Sequence, residues 1–168
     1  MKLHLCCPVL LKNFWQEGDP KMTPLLTPEI EIRFIKTASL DVLAALYKDA
    51  GWYSQEESPE FLHHIVGNSA LFAGAFLNKK MIGMGRALSD LVSDAYIQDV
   101  AVLKEYRGRG IGKKIIQTLI TGLKSHGVDW IGLIAEPGTT VFYENLGFRQ
   151  LEGHVPLKLK DEINATQK

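Results

Sequence analysis

The stretch Tyr106-Arg107-Gly108-Arg109-Gly110-Ile111-Gly112-Lys113-Lys114 constrains this chain more than any other. It follows a strand-like run at residues 95–102 and opens an amphipathic helix. Glycine at every second position lets the backbone approach a ligand closely. A helix N-terminus adds unpaired amides and a partial positive charge. Arg107, Arg109, Lys113 and Lys114 stand in the same turn. A strand-turn-helix unit of this kind is a cradle for a polyphosphate.

Spacing narrows the ligand. A Walker A loop needs one more residue between Gly108 and Gly112-Lys113, and Lys114 replaces the hydroxyl residue that would hold magnesium. A dinucleotide fingerprint needs Gly-x-Gly-x-x-Gly, with an acidic residue after the following strand; neither is here. Arg-x-x-Gly-x-Gly does fit, on Arg107, Gly110 and Gly112. It resembles the coenzyme A pyrophosphate loop of the GNAT acetyltransferase superfamily. Farther on, Val141-Phe142-Tyr143-Glu144-Asn145-Leu146-Gly147-Phe148 resembles that superfamily's Phe-Tyr-x-x-x-Gly-Phe helix end. The resemblance spans residues 30 to 160.

The fold class read here is α/β (α+β). Residues 29–35 alternate charged and apolar groups, as a half-buried strand does. Ser39 is placed to cap a helix ending at Gly51-Trp52, and Ser58 to cap a short one begun by Pro59. Residues 70–77 and 81–88 read as a hairpin about Asn78-Lys79-Lys80. Ile111, Ile115, Ile116, Leu119, Ile120 and Leu123 repeat at helical spacing. Residues 130–134 form a continuous apolar run, suited to a strand buried on both faces. Thr139 or Thr140 starts the Phe142-Tyr143 helix, which Gly147 ends, and residues 155–159 close as a final strand. The resemblance implies the GNAT arrangement: a mixed central sheet of about six or seven strands with about four flanking helices, the fourth and fifth strands splayed to admit the cofactor.

The organisation expected is an N-terminal extension (1–28, with Phe14 and Trp15 as anchors), one acetyltransferase domain (29–160) and a polar tail (161–168). A chain of 168 residues is long enough for one sizeable core, and its 46% hydrophobic and 23% charged residues are those of a globular protein. With 19 basic and 19 acidic residues the formal charge is +0, which argues against a nucleic-acid binder. No run reaches the length of a membrane helix, and residues 3–11 lack a signal-peptide cleavage site. Cys6 and Cys7 are adjacent and no third cysteine exists, so no disulfide framework is implied and a cytoplasmic setting is expected. His63-His64 point apart on a helix, and no metal is expected.

The resemblance implies acetyl-coenzyme A as donor and an amine as acceptor. Gly108, Arg109, Gly110, Ile111, Gly112 and Lys113, with Arg107, match the loop that holds the pyrophosphate. Val100, Ala101 and Val102 match the strand that pairs with the pantetheine arm, and the amide of Val100 or Val102 polarises the thioester carbonyl. Tyr143 matches the phenol that protonates the departing thiolate. The base is open. Tyr96 and Gln98 stand where the family often has Glu or His. Asp99, Glu56, Glu57 or a water chain are the alternatives, although alternation sends Asp99 to the opposite sheet face from Gln98. Glu136 stands where an asparagine commonly binds the cofactor, so that contact is not carried over. Trp52, Tyr53 and Phe61 fall where acceptor pockets usually lie, pointing to an aromatic or apolar amine. A protein N-terminal or lysine acetyltransferase and a non-catalytic coenzyme A-binding module are the rivals. Homodimers are frequent in the superfamily, and one is expected here.

Overall fold

The computed structural model describes residues 29–53 and 59–159. The readings placed on residues 1–28, on Glu56, Glu57 and Ser58 and on residues 161–168 lie outside these. Five strands form one sheet in sequence order: β1 (Glu31–Phe34), β2 (Leu71–Leu77), β3 (Lys80–Ser89), β4 (Asp94–Val102) and β5 (Trp130–Gly132). The first four are mutually antiparallel, and β5 joins β4 in parallel. Helix α1 (Leu40–Ala50) precedes a 3-10 turn at Pro59–His63, helix α2 (Ile111–Ser125) follows the glycine-rich loop, and one-turn α3 (Thr140–Glu144) follows β5.

The sheet separates two apolar layers. Ile111, Ile115, Ile116, Leu119 and Leu123 of α2 pack on Ala73, Ala87, Ala95 and Ile97. On the other face Leu43, Leu46 and Tyr47 of α1 pack with Leu62, Phe72, Met84 and Ala101. The helical periodicity read for α2 is the periodicity it buries. Its approach is close at Gly122, where a Cβ would stand 2.6 Å from the Phe34 ring.

Turns follow their residues. Asn78 and Lys79 adopt φ of 49° and 67°, the left-handed pair that a tight hairpin requires. Gly51 ends α1 at φ 77° and donates to Lys48 O, while the Trp52 N–H reaches back to Tyr47 O. Gly147 does the same after α3, where the Phe148 N–H donates to Tyr143 O. Ser39 takes the N-cap position of α1 but makes no side-chain cap bond; its carbonyl alone accepts, from Leu43 N–H.

Three expectations are corrected. The described residues hold five strands, fewer than the six or seven expected. Strand β5 spans three residues and is an edge, so Trp130 and Ile134 stay 45% and 64% exposed where burial on both faces was expected. Residues 155–159 form no strand: Val155, Leu157 and Leu159 are 74%, 92% and 89% exposed. Apolar alternation shows that a strand could pair, but a pairing edge must also be within reach. The flanking helical segments among the described residues are two long helices, one single turn and two 3-10 turns.

The last feature that shapes the site is a bulge. Gly83 and Met84 pair with Val102 and Ala101, but Arg86 pairs with Gln98. One extra residue is therefore inserted in β4, and Asp99 absorbs it at φ 53°. A non-glycine residue held there costs of order 1–3 kcal/mol, which its side-chain bonds must offset.

Candidate active site

Strand β5 pairs with β4 only along Asp94–Tyr96, through Trp130, Ile131 and Gly132. From Ile97 to Val102, β4 has no partner on that side among the described residues. Beyond Tyr96 the two strands part in a wedge, and β4 runs on toward the glycine-rich loop. This is the splay that the resemblance implied. Val100, Ala101 and Val102 line the unpaired stretch of β4. Val100 and Val102 send their side chains toward Gly85 and Gly83, and Ala101 is buried on the α1 face.

The loop gathers free amides. Gly108 and Gly110 adopt φ of 74° and 72°, and a Cβ on either would meet nothing within 4 Å. Their conformation, not crowding, requires glycine. Alternating left-handed residues turn successive amides toward one point. The backbone N–H groups of Gly108, Arg109, Gly110, Ile111, Gly112 and Lys113 make no backbone hydrogen bond among the described residues. Gly112 differs: its φ is not left-handed, and a Cβ there would sit 3.5 Å from Phe142, an ordinary contact. Arg109 lies over the Tyr106 ring and donates to Glu105 O, while Lys113 is exposed.

Arg107 braces the loop. Its guanidinium donates to Asp49 Oδ2 at 2.6 Å, to Asp49 O at 3.2 Å and to Val102 O at 2.7 Å. Its N–H is spent on Lys104 O. Asp49 also accepts from the Lys104 N–H at 3.0 Å. The last turn of α1 thus fastens the loop from outside.

Tyr143, on α3, is half-buried between the rings of Phe142 and Phe148, with centroids 5.1 and 5.9 Å away. It lines a cavity of about 650 Å³ with Tyr96 of β4, Gly132 of β5, Leu133 just beyond it, and His154. Its hydroxyl has no hydrogen-bond partner among the described residues. Burial, and then the negative charge of Glu136, raises its pKa above the ordinary phenol value. The proton therefore stays on oxygen at neutral pH.

Asp99 is brought to the α1 face, not sent to the opposite one. The bulge breaks the alternation. The Tyr47 hydroxyl donates to Asp99 Oδ2 at 2.6 Å, and Arg86 Nε donates to the same oxygen at 2.5 Å. The Tyr47 hydroxyl is held protonated, its pKa raised by burial and then by the Asp99 carboxylate. Trp52 and Phe61 meet the Tyr47 ring edge-on at 5.6 and 6.0 Å, and Tyr53 meets Phe61 at 6.2 Å. Trp52 and Phe61 remain 37% and 48% exposed. The three aromatics singled out in the sequence thus form one wall beside the β4 kink.

Sequence reasoning missed Tyr47, Asp49, Arg86 and His154. The first three act through partners far along the chain, and no spacing announces such contacts. Among the described residues no cluster of His, Cys, Asp or Glu could hold a metal, and no helix is long and apolar enough to cross a membrane.

Comparisons agree with this geometry. Histone acetyltransferase TAP1 of Glycine max is 37% identical over 109 residues, 65% of this chain and 44% of that protein. Serotonin N-acetyltransferase 2, chloroplastic, of Oryza sativa subsp. japonica is 37% identical over 67 residues, 40% of this chain and 34% of that protein. The chain thus spans less than half the length of these two relatives. A GNAT family protein from Streptococcus pneumoniae superposes with a TM-score of 0.68 at 22% identity, over 80% of this chain and 99% of that one, a likeness of fold. The family model described as the acetyltransferase (GNAT) family matches residues 39–148, which is most of the domain. The chain therefore belongs to the GNAT family of acetyltransferases.

Proposed function

We propose that this protein transfers the acetyl group of acetyl-coenzyme A to the nitrogen of a small aromatic amine. The observation that carries this reading is the edge of β4 left unpaired beyond Tyr96, with the free amides of Gly108–Lys113 after its far end and, beside Tyr96, the cavity lined by Tyr143. The loop fits a pyrophosphate: its amides are free, and the space a Cβ would take at Gly108 and Gly110 is open. Lys113 and Lys114 add charge, and the open edge of Val100–Val102 suits an amide-bearing arm. The ligand supplies an activated acetyl thioester. The amide of Val100 or Val102 polarises its carbonyl, and one such donor contributes about 3 kcal/mol.

Bond-making balances as follows. The amine nitrogen bonds to the acetyl carbon as the C–S bond breaks. The amine gives its surplus proton to water, Tyr143 donates one to the thiolate, and water returns a proton to the phenolate. The phenol is available because burial keeps it protonated. Asp99 takes no part as a base in this scheme, since Tyr47 and Arg86 already hold its carboxylate.

The aromatic acceptor is supported by the exposed wall of Trp52 and Phe61 around Tyr47, and by the name of the rice relative. The name of the soybean relative favours a second reading, a lysine on a protein. Calorimetric titration with acetyl-coenzyme A tests the donor. Thiol release over arylalkylamines, aliphatic amines and a lysine-rich histone peptide tests the acceptor. Release with arylalkylamines bears out the proposal, and release with the peptide alone moves it to protein substrates. Absence of binding overturns both.

A further inference from the structure

Asp99 is held in a conformation that L-residues disfavour, and it sits one residue before the stretch of β4 that lines the wedge. Asparagine and aspartate tolerate the left-handed region better than most residues, but it remains strained. Two contacts hold it. Arg86 Nε and the Tyr47 hydroxyl both donate to Oδ2, and all three side chains are largely shielded from solvent. Arg86 comes from β3, directly opposite Gln98, so it grips the bulge from the neighbouring strand. Tyr47 comes from the last turn of α1, the turn whose Asp49 fastens Lys104 and Arg107. The Val100–Val102 segment of β4 is thereby pinned on both sides, at Asp99 before it and at Lys104 and Arg107 after it.

We infer that Tyr47 and Arg86 are positioning residues for acetyl transfer, acting through Asp99 to hold the left-handed kink that aims the following amides of β4 into the wedge. The inference rests on the reading of β4 as the strand along the acetyl donor. Asp99 then serves by its backbone angle, and its carboxylate serves only to keep that angle. Tyr47 carries a second duty, because its ring also carries Trp52 and Phe61. Acceptor wall and kink therefore share one side chain.

The test exploits glycine, which takes a positive φ without strain. Asp99→Gly should exceed Asp99→Ala in kcat by about tenfold, although neither has a carboxylate. Arg86→Gln should lower kcat by about tenfold in the natural background, with Arg86→Lys recovering part of the loss. In the Asp99→Gly background, Arg86→Gln should lower kcat no further. Throughout, calorimetric affinity for acetyl-coenzyme A should stay near that of the unsubstituted protein, which a general loss of structure would not allow. Equal damage from Asp99→Gly and Asp99→Ala would overturn the inference and assign the carboxylate a chemical role. So would an Arg86→Gln loss that persists in the Asp99→Gly background. A separate readout needs no donor: in the free protein, Arg86→Gln and Asp99→Ala should shift the amide resonances of residues 98–102, and unchanged resonances would overturn the clamp. If the unsubstituted protein does not bind acetyl-coenzyme A, the functional reading fails, while the resonance test still decides whether the clamp exists.

Discussion

The Arg107 guanidinium meets the Asp49 carboxylate at 2.6 Å, joining the glycine-rich loop to the end of α1 across 58 residues of chain. The first basic residue of the loop is thus tied to α1 and to the end of β4. An exposed ion pair contributes about 0–1 kcal/mol, so this one matters for shape more than for stability. Asp49→Asn should leave the melting temperature almost unchanged. It should weaken acetyl-coenzyme A binding about threefold to tenfold by releasing Lys104 and Arg107 together. Calorimetry on this variant and on Arg107→Gln checks the point, and affinity in both equal to that of the unsubstituted protein would show the brace to be idle.

Gly110 and Gly112 should behave differently although they look alike in sequence. Gly110→Ala places a side chain at φ 72°, a strain of roughly 1–2 kcal/mol, and should weaken donor binding sharply. Gly112→Ala finds ordinary contact with Phe142 and Val102, so the fold should tolerate it. Melting curves and titrations of the two variants separate conformational need from ligand space.

Tyr143→Phe should lower kcat about a hundredfold or more while leaving donor affinity intact, the signature of a lost proton donor. Turnover equal to that of the unsubstituted protein would remove Tyr143 as the acid.

Alkaline pH should unfold this protein through its tyrosines. Tyr47 and Tyr143 both have pKa values raised by burial. Above pH 10, the ordinary phenol value, the unfolded chain loses these protons and the folded one retains them. Stability is therefore complete below pH 10 and falls as pH rises beyond it. Tyr47→Phe should flatten that fall, which urea midpoints between pH 8 and 11 would show.

Local signals carried much of this into the sequence. The hairpin at Asn78-Lys79, the periodicity of α2 and the left-handed ends at Gly51 and Gly147 each depend on a few neighbouring residues, and each formed where the residues placed it. The left-handed turns at Gly108 and Gly110 were legible because closely spaced glycines ahead of a helical repeat mark a strand-to-helix turn. The bulge was not legible, because an inserted residue is defined by its partner strand and Asp99 has no local mark of it. The same holds for Arg107, whose partner lies 58 residues away. The exposure of residues 155–159 shows the converse error: a correct pattern without an edge to receive it.

Because β4 and β5 cease pairing at Tyr96, no interstrand bond stands in the path of a ligand sliding between them. The opening exists in the free protein. Association would then be governed by encounter and not by rearrangement of the sheet. Lys113 and Lys114 are exposed in the first turn of α2, where they would attract the polyanionic donor proposed above from a distance. Added salt should therefore slow capture more than it hastens escape.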